Sequence, residues 1–387
     1  MNKGRVRLER KYLYEITFVR AIACLLVVMV HVSVRFYFAN GGYHTTVTNF
    51  FNQISRMGTP LFAVLSGFLL YNQALNRRFD TLIFLKSRFI KIISPFLFWS
   101  FFYLFYKSIF QNYTFPDFSS KEEVLNFIYI VFTGGSLHHL YFIALVIQFY
   151  IFFLLTRKLY NSKTIIIFTI ISFYINYTFV HNRFLFENEY LQHFINSRAF
   201  LLNWIYYFML GVLLVKFWPK IQAYLLINKN NRFMIIIGII VVALTVFDYH
   251  TNQLIVNSNE NFIYVLSIPL LFMVLTSLYY RLIMINERII KVFIKIGNMS
   301  MGIYLIHPLI IYLYSDYAPF DVTASTWLLF PHFIIVVALC MLVLQLLSYL
   351  PFHQYIITLV NSTKRNINFN IQATKELIIE KNGKNIE

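Results

Sequence analysis

The sequence predicts an all-α polytopic membrane protein, a bundle of about ten transmembrane helices with both termini cytoplasmic. Three observations carry that expectation. Hydrophobic residues make up 59% of the 387 and charged ones only 13%, whereas a soluble domain typically carries about 25% charged residues. Apolar stretches of about 20 residues, the length that crosses a bilayer, recur from end to end. The basic residues gather in short clusters between those stretches. With a mean hydropathy of +0.63, no water-soluble core could absorb so much apolar surface.

Ten stretches qualify as spans, near residues 16–38, 50–73, 92–112, 137–156, 164–181, 199–217, 232–250, 261–281, 297–316 and 326–350. The first, from Ile16 to Phe38, follows five basic residues as a signal peptide would. It is too long for a signal h-region and no small-residue cleavage site follows it, so it reads as a span. A shorter apolar piece, Val124 to Thr133, ends at Gly134-Gly135 and reads as an interfacial or re-entrant helix. Residues 1–350 form one transmembrane domain on this reading, and 351–387 a polar, Asn/Lys-rich cytoplasmic tail, amphipathic or disordered. The connections leave no room for a soluble catalytic domain.

The net charge of +17 could suggest nucleic acid, but placement argues for topology. With the N-terminus inside, 26 of the 33 Lys and Arg fall in cytoplasmic segments. Six lie in or near the outer half: Arg35, Arg56, Lys107, Lys121, Arg183 and Arg198. Such asymmetry orients a chain by the positive-inside rule and implies a multi-pass protein of the cell membrane. Cys24 and Cys340 lie in apolar stretches and fit neither a disulfide framework nor a metal spacing.

An ionisable residue within a span is costly and points to function. Arg20 and His31 are eleven positions apart in the first span. On an α-helix that spacing returns to within roughly 20° of one face, roughly 16 Å further along. One face thus carries a fixed cation near the cytoplasm and an imidazole at mid-membrane or beyond. A guanidinium suits phosphates or a carboxylate, and an imidazole suits a general base. Snorkelling explains Arg20 equally well, and a helix–helix hydrogen bond His31. Ser66-Gly67 permits close helix packing, and Arg88 and Lys91, one turn apart before Pro95, form one basic face. His138-His139 stand at the edge of the fourth span with no third ligand at a metal-like spacing, so no metal is expected. His307-Pro308 puts a polar side chain and a kink inside the ninth span.

Taken in order, these pieces resemble the acyltransferase 3 family of transmembrane acyltransferases. The similarity rests on Arg20-Ala21-Ile22-Ala23 running to His31, then Pro60-Leu61-Phe62 running to Ser66-Gly67-Phe68. It continues through Arg88-Phe89-Ile90-Lys91, His139-Leu140-Tyr141-Phe142 and Gly302-Ile303-Tyr304-Leu305-Ile306-His307-Pro308. Thr17 stands where many members have an aspartate, Lys91 replaces a second arginine and Tyr141 a tryptophan. The resemblance implies an O-acyltransferase, with acyl-CoA (acetyl-CoA) as cytoplasmic donor and an extracytoplasmic carbohydrate as acceptor. It implies catalytic roles for His31, Arg20 and His139, and donor-binding roles for Arg88, Lys91 and Ser66. The partners expected are the carbohydrate, the lipid bilayer and glycan-synthesis machinery, with no nucleic acid. Export of an exopolysaccharide or lipid-linked glycan is the rival reading.

The topology is open to direct test. A cysteine placed at Asn188 should react with an impermeant reagent added outside, and one placed at Arg78 should not. The reverse labelling pattern would overturn the span assignment.

Overall fold

The computed structural model describes residues 13–75, 79–252, 262–360 and 364–383. Among them every regular element is a helix, with no strand. Among the described residues nine helices are long and apolar enough to cross a membrane, consistent with a multi-pass membrane protein. The remaining sequence candidate, residues 232–250, is helical within Asn228–Asn252 but is not one of the nine.

Helix α1 (Tyr14–Ala39) holds neither glycine nor proline and is the hub of the bundle. It packs against α2 (Thr46–Ser55) and α3 (Gly58–Leu75), which together make one bent span. Thr45 caps α2 by accepting from the Thr48 amide. The next span runs through α4 (Thr81–Arg88), a π turn at Phe89–Ile93, and α5 (Ser94–Phe110). Proline explains that turn. Pro95 has no N–H to give and clashes with the carbonyl four residues back, so the Lys91 carbonyl is freed and accepts from the Thr358 hydroxyl instead. Ser94 Oγ and Trp99 Nε1 bind the carbonyls of Tyr355 and Ile356 at 2.9 and 3.0 Å. The first part of the polar tail is therefore tied to α5.

Helix α6 (Lys121–Thr133) has 13 residues, about 20 Å of helix, too short to cross and largely exposed. Gly134 ends it at φ +77. A Cβ there would lie 2.5 Å from the Leu140 backbone, so this glycine permits the tight turn carrying His138 and His139 into α7 (Tyr141–Thr156). Helix α8 (Ser162–His181) opens on a capping box from Asn161 and Thr164, and α9 (Glu189–Ile195) is a short connector. Then come α10 (Ile205–Leu225), α11 (Asn228–Asn252), α12 (Phe262–Ile285), α13 (Glu287–Tyr317) and α14 (Leu329–Leu347). The polar tail holds α15 (Lys364–Gly383), packed against α12, with Lys375 Nζ 2.6 Å from Glu287 Oε1.

A close backbone approach joins α3 and α10. A Cβ at Gly67 would stand 2.0 Å from the Phe208 carbonyl oxygen, and one at Gly211 2.0 Å from that of Val64. This is the close packing expected of Ser66-Gly67, and it follows the small-residue logic of membrane helices. Large apolar side chains of α5, α8 and α11, such as Phe105, Ile170 and Ile239, are exposed, as a lipid-facing rim requires. Gly211→Val should lower the thermal midpoint of the detergent-solubilised protein, overpacking costing about 1–3 kcal/mol or more. Gly135→Ala, whose added carbon would find its nearest neighbour at 3.4 Å, should be neutral. Equal midpoints for both would refute this account of the α3–α10 contact.

Candidate active site

The site grows from a backbone problem in α13. Pro308 cannot donate to the Tyr304 carbonyl, and no water is at hand inside a bilayer to replace the bond. His307 does so: its Nδ1 lies 2.8 Å from the Tyr304 oxygen and 3.2 Å from that of Ile303. Carbonyls only accept, so Nδ1 carries the proton and Nε2 of the neutral ring keeps its lone pair. That Nε2 is buried and has no hydrogen-bond partner. The residue the sequence marked only as a kinked landmark thus presents a base of fixed tautomer.

Three other histidines meet it. The His31 ring lies 5.0 Å from that of His307 and the His139 ring 5.2 Å. His31 Nδ1 is 3.2 Å from His138 Nε2. His138 is exposed, His31 half-buried, and His139 and His307 are buried, so the cluster runs from the surface of the bundle into its core. Tyrosines brace it. The Tyr304 hydroxyl donates to the His139 carbonyl, and Tyr103 Oη donates to that of Leu305 at 2.7 Å. Both nitrogens of His139 are buried without a hydrogen-bond partner. Among the described residues, no group of three or more His, Cys, Asp or Glu could hold a metal ion.

Arg20 occupies the same helix nearer its N-terminus. It is half-buried, and its Nε and Nη2 are buried without hydrogen-bond partners. Glu15 accepts from Gln222 Nε2 at 2.9 Å. Guanidinium donors left open in this way suit an anion, since the planar fork matches phosphate or carboxylate oxygens.

The other donor-site candidates separate. Arg88 Nη2 donates to Gln73 Oε1 at 2.7 Å, and its guanidinium sits 4.8 and 5.1 Å from the Phe84 and Tyr150 ring centroids. Lys91 is exposed. The π turn between them explains the difference: its wider winding turns the chain less per residue, so positions three apart no longer superpose. The single basic face expected from their spacing is therefore split. Ser66 Oγ donates to the Phe62 carbonyl at 2.9 Å within its own helix. Arg157, in sequence simply one of the 26 basic residues of the cytoplasmic segments, stacks 4.0 Å from the Phe79 centroid with a buried, unpartnered Nε. Its aromatic neighbour is 78 positions away in the chain, and no local pattern announces such a contact.

The fold and this arrangement define a multi-pass membrane protein in which α1 carries an open guanidinium, Arg20, and one member, His31, of a histidine cluster shared with α13 and the turn before α7. A family model described as an acyltransferase domain matches residues 13–349, and the chain belongs to the acyltransferase 3 family. It is an acyltransferase transferring groups other than aminoacyl groups. The chain is 24% identical over 320 residues to a protein of Staphylococcus aureus strain N315 named as a probable poly-beta-1,6-N-acetyl-D-glucosamine export protein. That similarity covers 78% of this chain and 83% of the relative. A Staphylococcus epidermidis protein of the same name is 24% identical over 321 residues, covering 78% and 82%. No solved structure matches the chain.

His307→Asn offers a selective test, because the asparagine amide can still donate to the Tyr304 carbonyl while Nε2 is lost. The variant should insert and purify normally yet lose acyl transfer by about 10²-fold or more. Near-normal transfer would make His307 a structural cap alone.

Proposed function

We propose that this acyltransferase moves an acetyl group from cytoplasmic acetyl-CoA to a hydroxyl of an extracytoplasmic carbohydrate, a cell-wall glycan or exopolysaccharide. The observation that carries this reading is the pairing on α1 of an open guanidinium, Arg20, with His31 inside a histidine cluster. The donor is a substrate bearing several phosphates, and the unpartnered Nε and Nη2 of Arg20 suit them, with Arg88 and Arg157 as further cations. Lys91, being exposed, would act as a more distant charge, and Ser66 as part of the α3 surface along the donor path.

In the arrangement that makes His31 a base, Nδ1–H donates to His138 Nε2 and the His31 Nε2 lone pair faces the acceptor. The acceptor oxygen attacks the thioester carbonyl carbon as His31 Nε2 takes the hydroxyl proton. The new C–O bond forms, the C–S bond breaks, and the proton passes to the departing thiolate. The products are the O-acyl sugar and free coenzyme A. His138 is a positioning residue for His31, and the free lone pair of His307, on a ring 5.0 Å from that of His31, stabilises the proton while His31 holds it. His139, buried between Tyr103 and Tyr304, holds the wall of the cluster. The basic asymmetry favours both termini in the cytoplasm of a cell whose plasma membrane holds the protein, near the machinery that makes the glycan.

The names of the staphylococcal relatives favour a second reading, export of a poly-N-acetylglucosamine chain. Purified protein decides between them through acetyl transfer from labelled acetyl-CoA to an N-acetylglucosamine oligosaccharide. His31→Gln keeps a hydrogen-bonding group but no base, and should lose about 10²–10⁴-fold in rate, while His181→Ala, on α8 and bonded within its own helix, should be fully active. A wild-type protein with no transfer, but with glycan translocation in vesicles, would favour the exporter. Normal transfer by His31→Gln would remove the base from this mechanism.

A further inference from the structure

Beyond the histidines, the C-terminal ends of α1, α5 and α13 enclose a cleft of about 240 Å³. Arg35, Tyr106, Gln111, Tyr312, Asp316 and Tyr317 line it. Arg35 is one turn past His31, Tyr106 three residues past Tyr103, and Tyr312 five past His307. At 1.5 Å per residue the cleft starts roughly 6 Å from the cluster, on the side away from Arg20.

Its charge differs from that of the Arg20 end. Arg35 Nη2 donates to Asp316 Oδ1 at 2.8 Å, so the cation is already matched by a carboxylate. The same guanidinium lies 5.6 Å from the Tyr312 centroid. The rings of Tyr106 and Tyr312 are nearly parallel, 15° apart in plane and 6.3 Å between centroids. An anion would have to compete with Asp316 for Arg35, and a cation with Arg35 for Asp316. A neutral polyol competes with neither. Its C–H faces can lie on the electron-rich tyrosine faces, and its hydroxyls can both donate to the carboxylate and accept from the guanidinium and the Gln111 amide. The volume is below the roughly 300–1,000 Å³ of drug-sized sites, which suits one sugar residue of a longer chain.

We propose that this cleft is the acceptor subsite, holding one neutral pyranose residue of the glycan so that a hydroxyl reaches the histidines. It rests on the reading that the acceptor is a carbohydrate. The ion pair sets the preference for uncharged sugar, and the tyrosines supply the stacking surface.

The test uses full-length protein in nanodiscs, a β-1,6-linked N-acetylglucosamine tetrasaccharide and coenzyme A, with each Kd measured by calorimetry. Tyr312→Ala and Asp316→Ala should each weaken tetrasaccharide binding about tenfold or more and leave the coenzyme A Kd unchanged. Tyr312→Phe, which keeps the ring, should bind within about threefold of the wild type. Should Tyr312→Ala fail to fold, Gln111→Ala and Tyr317→Ala, at exposed positions, decide by the same criterion. Tetrasaccharide affinities equal to wild type in these variants would overturn the proposal, as would wild-type protein that binds coenzyme A but shows no saturable tetrasaccharide binding. His31→Gln separates this result from the mechanism above: it should bind the tetrasaccharide normally while failing to transfer. Normal transfer by that variant would defeat the mechanism and leave the cleft standing.

Discussion

A carbonyl inside a bilayer that loses its amide partner finds no water to replace it, and the site depends on how α13 meets that constraint. Pro308 leaves the Tyr304 carbonyl open and His307 Nδ1 closes it. The repair does two things at once. It preserves the helix across the proline, and it commits the proton of the imidazole to one nitrogen. The other nitrogen is then left as a buried lone pair among three further histidines. Pro95 poses the same problem on the neighbouring span, and there a side chain from the tail, Thr358, supplies the missing donor. That second repair ties the tail to the transmembrane bundle beside the π turn, opened by Pro95, that parts Arg88 from Lys91.

Around these two prolines the bundle arranges two ends of different electrostatic character. Toward the start of α1, Arg20 keeps guanidinium nitrogens without partners inside the protein. Toward its other end, Arg35 is neutralised by Asp316. An open cation attracts anions, while a matched pair in an aromatic cleft favours uncharged, hydroxyl-rich ligands. The histidines lie between the two. On the function proposed, a phosphate-bearing donor and a sugar acceptor would approach from opposite sides and meet at His31, with α1 touching both. The glycine contact between α3 and α10 gives this assembly a rigid support, because two backbones in contact cannot slide without losing their packing.

Much of the fold was legible in the sequence. Apolar length reports spans because the hydrocarbon core has a fixed thickness, and the apolar piece before Gly134 was rightly separated from the spans since 13 helical residues cannot cross. Where α13 begins was less legible: the apolar reading started it at 297, whereas the helix runs from Glu287, because a helix continues past the hydrocarbon into polar surroundings that hydropathy does not register. The tail was read as polar and amphipathic or disordered; its helix, α15, is held by contacts such as Lys375 with Glu287 that no local pattern encodes.

For the site, the sequence by itself offered candidate side chains and put Arg20 and His31 on one helix face, because helical periodicity is a local property. It also held the His307-Pro308 pair whose consequence for the tautomer follows from proline's missing N–H. Only the tertiary structure decided which residues meet. His31, His138 and His307 lie on different parts of the chain, and their contact depends on how α1, α13 and the Gly134 turn pack. The divergence of Arg88 and Lys91 likewise needed the π turn, and the neutral cleft needed Arg35 and Asp316 brought together across 281 positions of sequence. Periodicity acts within a helix, whereas packing acts between helices, and binding sites in a bundle are made between helices.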